Sequence, residues 1–114
     1  NANCRNADFS ACTLFGCSFR NARLNGANFS NANLTNADLR GAKLVKAKFG
    51  GATLKGAKIS SEQLREIYDF DIPFIKENQI KVYSGEYLVT DELLAEEFQK
   101  QRPVAYAFCK YERK

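Results

Sequence analysis

The sequence predicts an all-β solenoid over residues 1–60, followed by a small α-helical cap and tail over residues 61–114. Two observations predict the solenoid: a large apolar side chain or a cysteine recurs at every fifth position, and a small residue stands two positions before it. A period of five fits neither a helix nor a strand, so the chain must turn in every repeat. The large residues are Cys4, Phe9, Leu14, Phe19, Leu24, Phe29, Leu34, Leu39, Leu44, Phe49, Leu54 and Ile59.

Turn-forming residues occupy fixed positions between the large side chains. Glycine recurs two residues after the large residue, and asparagine also serves the corners. One short wall and one corner in each repeat would direct the large and small residues inward and leave three polar residues in water. The corner residues are Gly16, Gly26, Gly41, Gly51 and Gly56, together with Asn21, Asn31 and Asn36.

The tandem Ala-x-Phe/Leu-x-x units resemble those of pentapeptide repeat proteins. The segment NANLTNADLRGAKL follows the pattern of that family at each defined position. The resemblance covers residues 1 to about 60 and implies a right-handed quadrilateral β-helix with four repeats per coil, hence about three coils. Residues twenty apart should then stack, which places Phe9, Phe29 and Phe49 in one column.

The repeat pattern ends at Ser60, where a helix signal begins. Ser60 as N-cap, with Gln63 three residues later, predicts a helix over 61–69. We expect its apolar face to cover the open end of the last coil, because an uncovered coil edge presents unpaired backbone groups.

The remaining tail combines further short elements. Residues 73–83 favour a helical turn and then an extended stretch, and Thr90 can cap a second helix over 91–101. The alternation of large and small residues over 104–109 predicts an extended segment. This tail is longer than a simple cap requires, so it is also a candidate for an oligomer contact.

Three cysteines, Cys4, Cys12 and Cys17, occupy inward positions of the repeat, where a reduced thiol packs well. Buried reduced cysteines and the lack of a signal peptide predict a cytoplasmic protein. No apolar run is long enough to span a membrane. Because Asn1 stands at the end of an incomplete repeat, we expect that an upstream segment was removed and that the module belongs to a larger protein.

Charge is divided unevenly along the chain. Residues 1–60 hold nine Lys or Arg and two Asp, a net charge of +7, whereas residues 61–114 hold eight and eleven, a net charge of −3. The basic walls are either a solvated face or a docking surface for an acidic partner. The candidate partner surface consists of Arg20, Arg23, Arg40, Lys43 and Lys46.

No constellation in the sequence indicates catalysis. The chain has no histidine and no phosphate-binding loop, and Asp8 and Asp38 both lie in outward positions. Cys109 has no histidine to activate it. We therefore expect no enzyme activity, cofactor, metal or small-molecule substrate.

Three functional hypotheses follow. The first is a non-catalytic protein-interaction or scaffold module, with possible self-association through the uncapped N-terminal coil or the C-terminal tail. The second is suggested by the resemblance: one branch of the family mimics DNA and binds topoisomerases, but that role needs an acidic rod and this one is basic. The third is weak binding of nucleic acid or anionic surfaces by the basic walls.

Overall fold

Residues 3–60 wind into a four-sided solenoid in the computed structural model, which describes residues 3–67 and 69–102 of the chain. Parallel bridges join residues twenty apart, so each coil takes twenty residues and each side takes five. Backbone hydrogen bonds of 2.7–3.1 Å connect successive coils. The bridged residues are Asn3, Arg23 and Lys43 on wall 1; Asp8, Asn28 and Lys48 on wall 2; Thr13, Asn33 and Thr53 on wall 3; Ser18, Asp38 and Lys58 on wall 4.

Each corner contains one residue in the left-handed region, with φ between 57° and 76°. Glycine and asparagine tolerate this conformation best, which explains why they dominate these positions. The corner residues are Asn6, Ala11, Gly16, Asn21, Gly26, Asn31, Asn36, Gly41, Lys46, Gly51 and Gly56.

Asparagine and glycine are ordered along the corner columns. The Asn21 side chain oxygen lies over the α-carbon of Gly41, one coil further on, and a Cβ added at Gly41 would collide with it. The same relation joins Asn6 to Gly26, Asn31 to Gly51 and Asn36 to Gly56. Glycine in these four columns is therefore required by the asparagine above it as well as by the backbone.

The interior is a stack of buried apolar side chains. Phe29 is 0% exposed, and its ring lies parallel to those of Phe9 and Phe49 at centroid distances of 5.1 and 5.2 Å. The predicted phenylalanine column is confirmed. The column continues beyond the solenoid, because Phe70 contacts Phe49 and Phe74 contacts Phe70, each at 5.3 Å.

The first coil is less well covered than the prediction assumed. Cys4 and Cys17 are free thiols and only partly buried, and Cys12 is exposed. The expectation of buried cysteines is wrong for Cys12, because within the described residues no coil lies above the first one. The fourth cysteine, Cys109, lies outside the described residues.

Short elements follow the repeats and pack on the last coil. The elements are β1 (Lys58–Ser60), a 3-10 helix (Ser61–Arg65), α1 (Ile72–Glu77), β2 (Lys81–Ser84), β3 (Tyr87–Leu88) and α2 (Asp91–Gln101). The sheet has the order β1-β2-β3, with β2 parallel to β1 and antiparallel to β3. The hairpin of β2 and β3 therefore continues wall 4 by two rungs.

The first helix after the repeats differs from the one that the sequence predicts. The helix expected over 61–69 is a 3-10 helix that ends at Arg65. Three residues per turn place Gln63 and Glu66 on one face, from which both side chains bond to the last coil.

Thr90 precedes α2, but its side chain makes no capping hydrogen bond; its carbonyl accepts the N–H of Leu93 instead. The extended segment expected over 104–109 lies outside the described residues. None of the helices in the described part of the chain has the length and apolarity needed to cross a bilayer.

Candidate interaction surface

Wall 1 carries the exposed cations of the candidate surface. Arg23 and Lys43 are bridged neighbours on successive coils, which places their backbones about 4.8 Å apart. Lys46 occupies the next corner, with φ of 64°. Within the described residues none of these three cations reaches a carboxylate, because the ion pairs there join Arg40 to Asp38 and Lys100 to Glu97.

The corner between wall 4 and wall 1 holds the other two arginines, and Arg40 is already engaged. Its guanidinium donates to both carboxylate oxygens of Asp38, at 2.8 and 2.9 Å, and lies 4.6 Å from the ring centre of Tyr83. Tyr83 belongs to β2, so Arg40 links the solenoid to the hairpin. The predicted set of five therefore divides into a wall 1 group, Arg23, Lys43 and Lys46, and a corner pair in which Arg20 is exposed and Arg40 is partly buried.

The charges at this corner shift the titration of Asp38. Burial raises the pKa of the Asp38 carboxyl, but hydrogen bonds from Arg40 and the positive charges of Arg40 and Arg20 outweigh burial and lower it. The hydrogen bond to Asp38 in turn raises the pKa of Arg40. Asp38 thus stays ionised at neutral pH and neutralises part of the charge at the corner.

The wall 1 group has the chemistry to bind carboxylates. Two cations one rung apart would match two carboxylates at the same spacing, as on neighbouring strands of an acidic sheet, and a rigid backbone holds that spacing without loss of chain entropy. The surface contains no nucleophile with an activating base. Within the described residues no cluster of acidic, cysteine or histidine side chains could hold a metal.

The edge of the last coil carries side chains whose role the sequence analysis did not assign. Gln63 donates through its side-chain amide to the carbonyls of Leu39 and Ala42, at 2.5 and 2.9 Å. Glu66 accepts the N–H of Leu44 at 2.9 Å. Between earlier coils, backbone groups of the next coil bond to the positions equivalent to Ala42 and Leu44, so the Gln63 and Glu66 side chains replace the backbone of a missing strand there. The twenty-residue period is the signal that could have found them.

A buried arginine anchors α2 to this segment. The Arg102 guanidinium donates to the carbonyls of Leu64, Ile67 and Phe70 and lies 4.8 Å from the ring centre of Phe98. These contacts tie the end of α2 to the 3-10 helix and to the residues that follow it. Nothing in the local sequence around Arg102 indicated the role.

A groove of about 560 Å³ lies between α1, β3 and the start of α2. Its lining combines apolar residues with Lys76, Lys81 and Asp91. It includes a single carboxylate and no histidine or cysteine, so this groove supports no catalytic assignment.

Comparison with known proteins gives a consistent family match. The family model for pentapeptide repeats matches residues 2–41 and 32–65, with eight copies of the repeat. A pentapeptide repeat protein from the thylakoid lumen of Arabidopsis thaliana is 38% identical over 50% of this chain and 39% of that chain, with a TM-score of 0.50. No curated protein matches the sequence.

Two cyanobacterial pentapeptide repeat proteins are also similar. The protein from Cyanothece 51142 is 34% identical over 48% of this chain and 42% of its own, with a TM-score of 0.44. The protein from Nostoc Pcc 7120 is 23% identical over 73% and 78%, with a TM-score of 0.38. This chain therefore spans about two fifths of the length of the first two solved relatives.

Proposed function

The chain belongs to the pentapeptide repeat family, and we propose that it is a non-catalytic interaction module that binds an acidic protein through wall 1. Proteins of this family fold as right-handed quadrilateral β-helices and are generally non-catalytic repeat proteins. We further propose that the helix has three coils and that residues 61–102 cap its C-terminal end. The observation that carries the binding proposal is the column of Arg23 and Lys43 beside Lys46, none of which reaches a carboxylate of the described residues.

The rigidity of the solenoid supports this role. The stacked core and the coil-to-coil hydrogen bonds fix the positions of the wall residues before a partner arrives. Preorganised side chains lose little entropy on binding, so a modest number of charge contacts can suffice for a specific complex. The neutralised corner at Asp38 limits the strongest positive charge to one side.

Two other functions are less well supported. DNA mimicry directed at a topoisomerase requires an acidic surface, whereas residues 1–60 have a net charge of +7. Binding to nucleic acid or to an anionic surface agrees with that charge, but wall 1 offers no exposed aromatic residues for stacking on bases. Cation-only contacts would lose affinity steeply as salt rises.

The test compares two charge reversals of equal size. Arg23→Glu with Lys43→Glu removes the proposed surface, and Lys48→Glu with Lys55→Glu makes the same change in net charge on other faces. Tagged wild-type and variant chains are used to capture proteins from lysate, and the enriched partner is then titrated against each chain at about 0.15 M salt. We expect the wall 1 variant to bind at least about tenfold more weakly, which is about 1.4 kcal/mol.

The control variant shows whether a loss of affinity for the partner is specific to wall 1. Equal loss in both variants would show non-specific charge attraction and contradict the assignment to wall 1, as would unchanged binding in the wall 1 variant. Retention of the wild type on duplex DNA at that salt concentration would favour the nucleic-acid alternative instead.

A further inference from the structure

Wall 1 contains a dipeptide whose chemistry the binding role does not use. Asn25 is followed by Gly26, and no other asparagine in the chain precedes a glycine. The backbone nitrogen that follows an asparagine can attack the carbon of the side-chain amide and close a cyclic imide. A side chain on the following residue hinders this ring closure, and glycine carries none. Asn25 is therefore the asparagine whose sequence context favours the reaction most.

The reaction replaces the Asn25 amide by a carboxyl group. The nitrogen of Gly26 loses its proton and bonds to Cγ of Asn25, and the side-chain nitrogen leaves with a proton as ammonia. Water then opens the imide at one of its two carbonyls. The products are an aspartate at this position or an isoaspartate, in which the backbone runs through the former side chain.

The solenoid holds the attacking nitrogen in a hydrogen bond. The N–H of Gly26 donates to the carbonyl of Val45 in the next coil, at 2.8 Å. The nitrogen attacks only after it loses its proton, and amide hydrogen exchange has the same requirement. The hydrogen bond must therefore open first. Opening separates the second coil from the third beside Leu24 and Leu44, which are both 0% exposed.

The side chain of Asn25 is not restrained in this way. Within the described residues it makes no hydrogen bond, whereas the side-chain oxygen of Asn28 accepts the N–H of Ser30 at 2.9 Å and that of Asn33 accepts the N–H of Thr35 at 3.1 Å. The Asn25 amide can rotate toward the backbone once the nitrogen is released. Pairing between the coils, rather than a side-chain contact, thus controls the reaction.

We propose that Asn25 is a deamidation site and that the hydrogen bond from Gly26 to Val45 sets its rate. The modification changes wall 1, because Asn25 and Arg23 lie two residues apart on one side of the coil and face the same way. The aspartate product places a carboxylate beside the Arg23 cation. The isoaspartate product lengthens the backbone of this repeat and breaks its five-residue spacing.

The test follows the full chain by mass spectrometry at mildly alkaline pH, both folded and unfolded in guanidinium chloride, with peptide mapping of the modified residue. We expect Asn25 to be the first asparagine modified in the unfolded chain and the folded chain to react more slowly. The factor of slowing should match the hydrogen-exchange protection of the Gly26 amide in the folded chain to within about tenfold.

Two adjacent substitutions test the control by coil pairing. Phe49→Ala removes a ring of the third coil that is 6% exposed and stacks on Phe29. We expect it to speed deamidation of Asn25 at least about tenfold, because the coils separate more readily. Lys48→Ala changes an exposed side chain and should leave the rate unchanged. The comparison with hydrogen exchange in the wild type decides the proposal even where Phe49→Ala does not fold.

The effect on a partner is measured separately, because it rests on the proposed function. Asn25→Asp reproduces the aspartate product, and Asn33→Asp makes the same charge change on wall 3. We expect Asn25→Asp to weaken binding of the acidic partner and Asn33→Asp to leave it unchanged. Equal binding by both variants would contradict the role of wall 1 and not the deamidation site, since the mass measurement involves no partner.

Three results would overturn the proposal. Another asparagine that reacts before Asn25 in the unfolded chain would move the site. Equal rates in the folded and unfolded chains would show that the hydrogen bond of Gly26 gives no protection. Slowing that departs from the exchange protection of the Gly26 amide by more than about tenfold would place the control elsewhere in the fold.

Discussion

The phenylalanine column makes the sharpest stability prediction, which is the replacement of Phe29 by alanine. Phe29 is 0% exposed and contacts Phe9 and Phe49 face to face and Phe19 edge to face. Truncation of a buried phenylalanine costs about 3–5 kcal/mol, and each lost ring pair adds about 0.5–1.5 kcal/mol beyond the buried area. Since the layers above and below cannot collapse into the space, we expect about 5 kcal/mol.

The assay is urea or thermal unfolding followed by circular dichroism. For a chain of this size 5 kcal/mol corresponds to a decrease in Tm of about 20 °C. Phe9→Ala is the matched control, because its ring belongs to the same column but lies in the first coil and is only partly buried.

Both variants remove one phenylalanine ring, so the difference between their stabilities reports the effect of stacking on both faces. We expect Phe9→Ala to cost roughly 2 kcal/mol, since its side chain is only partly buried. Equal losses in Phe29→Ala and Phe9→Ala would refute the argument that the middle coil is held from both sides.

Three further predictions concern the edge, the corners and the titration. Gln63→Leu should lower the free energy of unfolding by about 2–4 kcal/mol in urea titrations, because it removes the donor to the carbonyl of Ala42 and the acceptor of the N–H of Ser60. Gly16→Ala should cost about 1 kcal/mol for the left-handed backbone alone, and Gly41→Ala should cost more in the same titration, because its Cβ meets the side chain above it. Asn21→Ala, made in the Gly41→Ala background, should recover that excess, and no recovery would disprove the collision. The lowered pKa of Asp38 adds stability that is present above the unfolded value of 3.8 and lost as pH falls through the folded value. Asp38→Asn should therefore be less stable than the wild type at neutral pH, with a gap that closes below about pH 4; a constant gap would contradict this.

The repeat body could be predicted in detail because its physics is local and periodic. A five-residue period fixes which side chains point inward, and the twenty-residue sorting of phenylalanine from leucine fixes which of them stack. The column of Phe9, Phe29 and Phe49 follows from the period together with the four repeats per coil that the family resemblance implies, and the sorting agrees with it. The corner glycines also followed from turn chemistry, but their dependence on the asparagine above each one needed the coordinates.

The C-terminal segment was less predictable because its contacts join residues far apart in sequence. Gln63 reads as a helix-capping residue, and its side-chain oxygen does accept the N–H of Ser60 at 2.8 Å. Its amide reaches residues more than twenty positions earlier, which no local pattern encodes. Arg102 reaches back 32 to 38 positions to three carbonyls, and its burial has no sequence signal.

The candidate surface was likewise only partly predictable from the sequence. The positions of Arg23 and Lys43 on one wall followed from the period. The engagement of Arg40 did not, because Tyr83 reaches it only through the parallel pairing of β2 with β1. Charge counting identifies cations, but only tertiary contacts show which of them stay available to a partner.

The order of asparagine and glycine at the corners limits how this solenoid can lengthen or shorten. Loss of a single repeat would shift all later side chains by one wall and stack leucine side chains of the core on phenylalanine rings. Copying a whole coil would keep the walls in register but set Asn21 above a second asparagine, where only glycine fits. Insertion of a coil therefore demands compensating changes at its corners, and substitutions at positions twenty apart should be coupled in any lineage that changes the coil number.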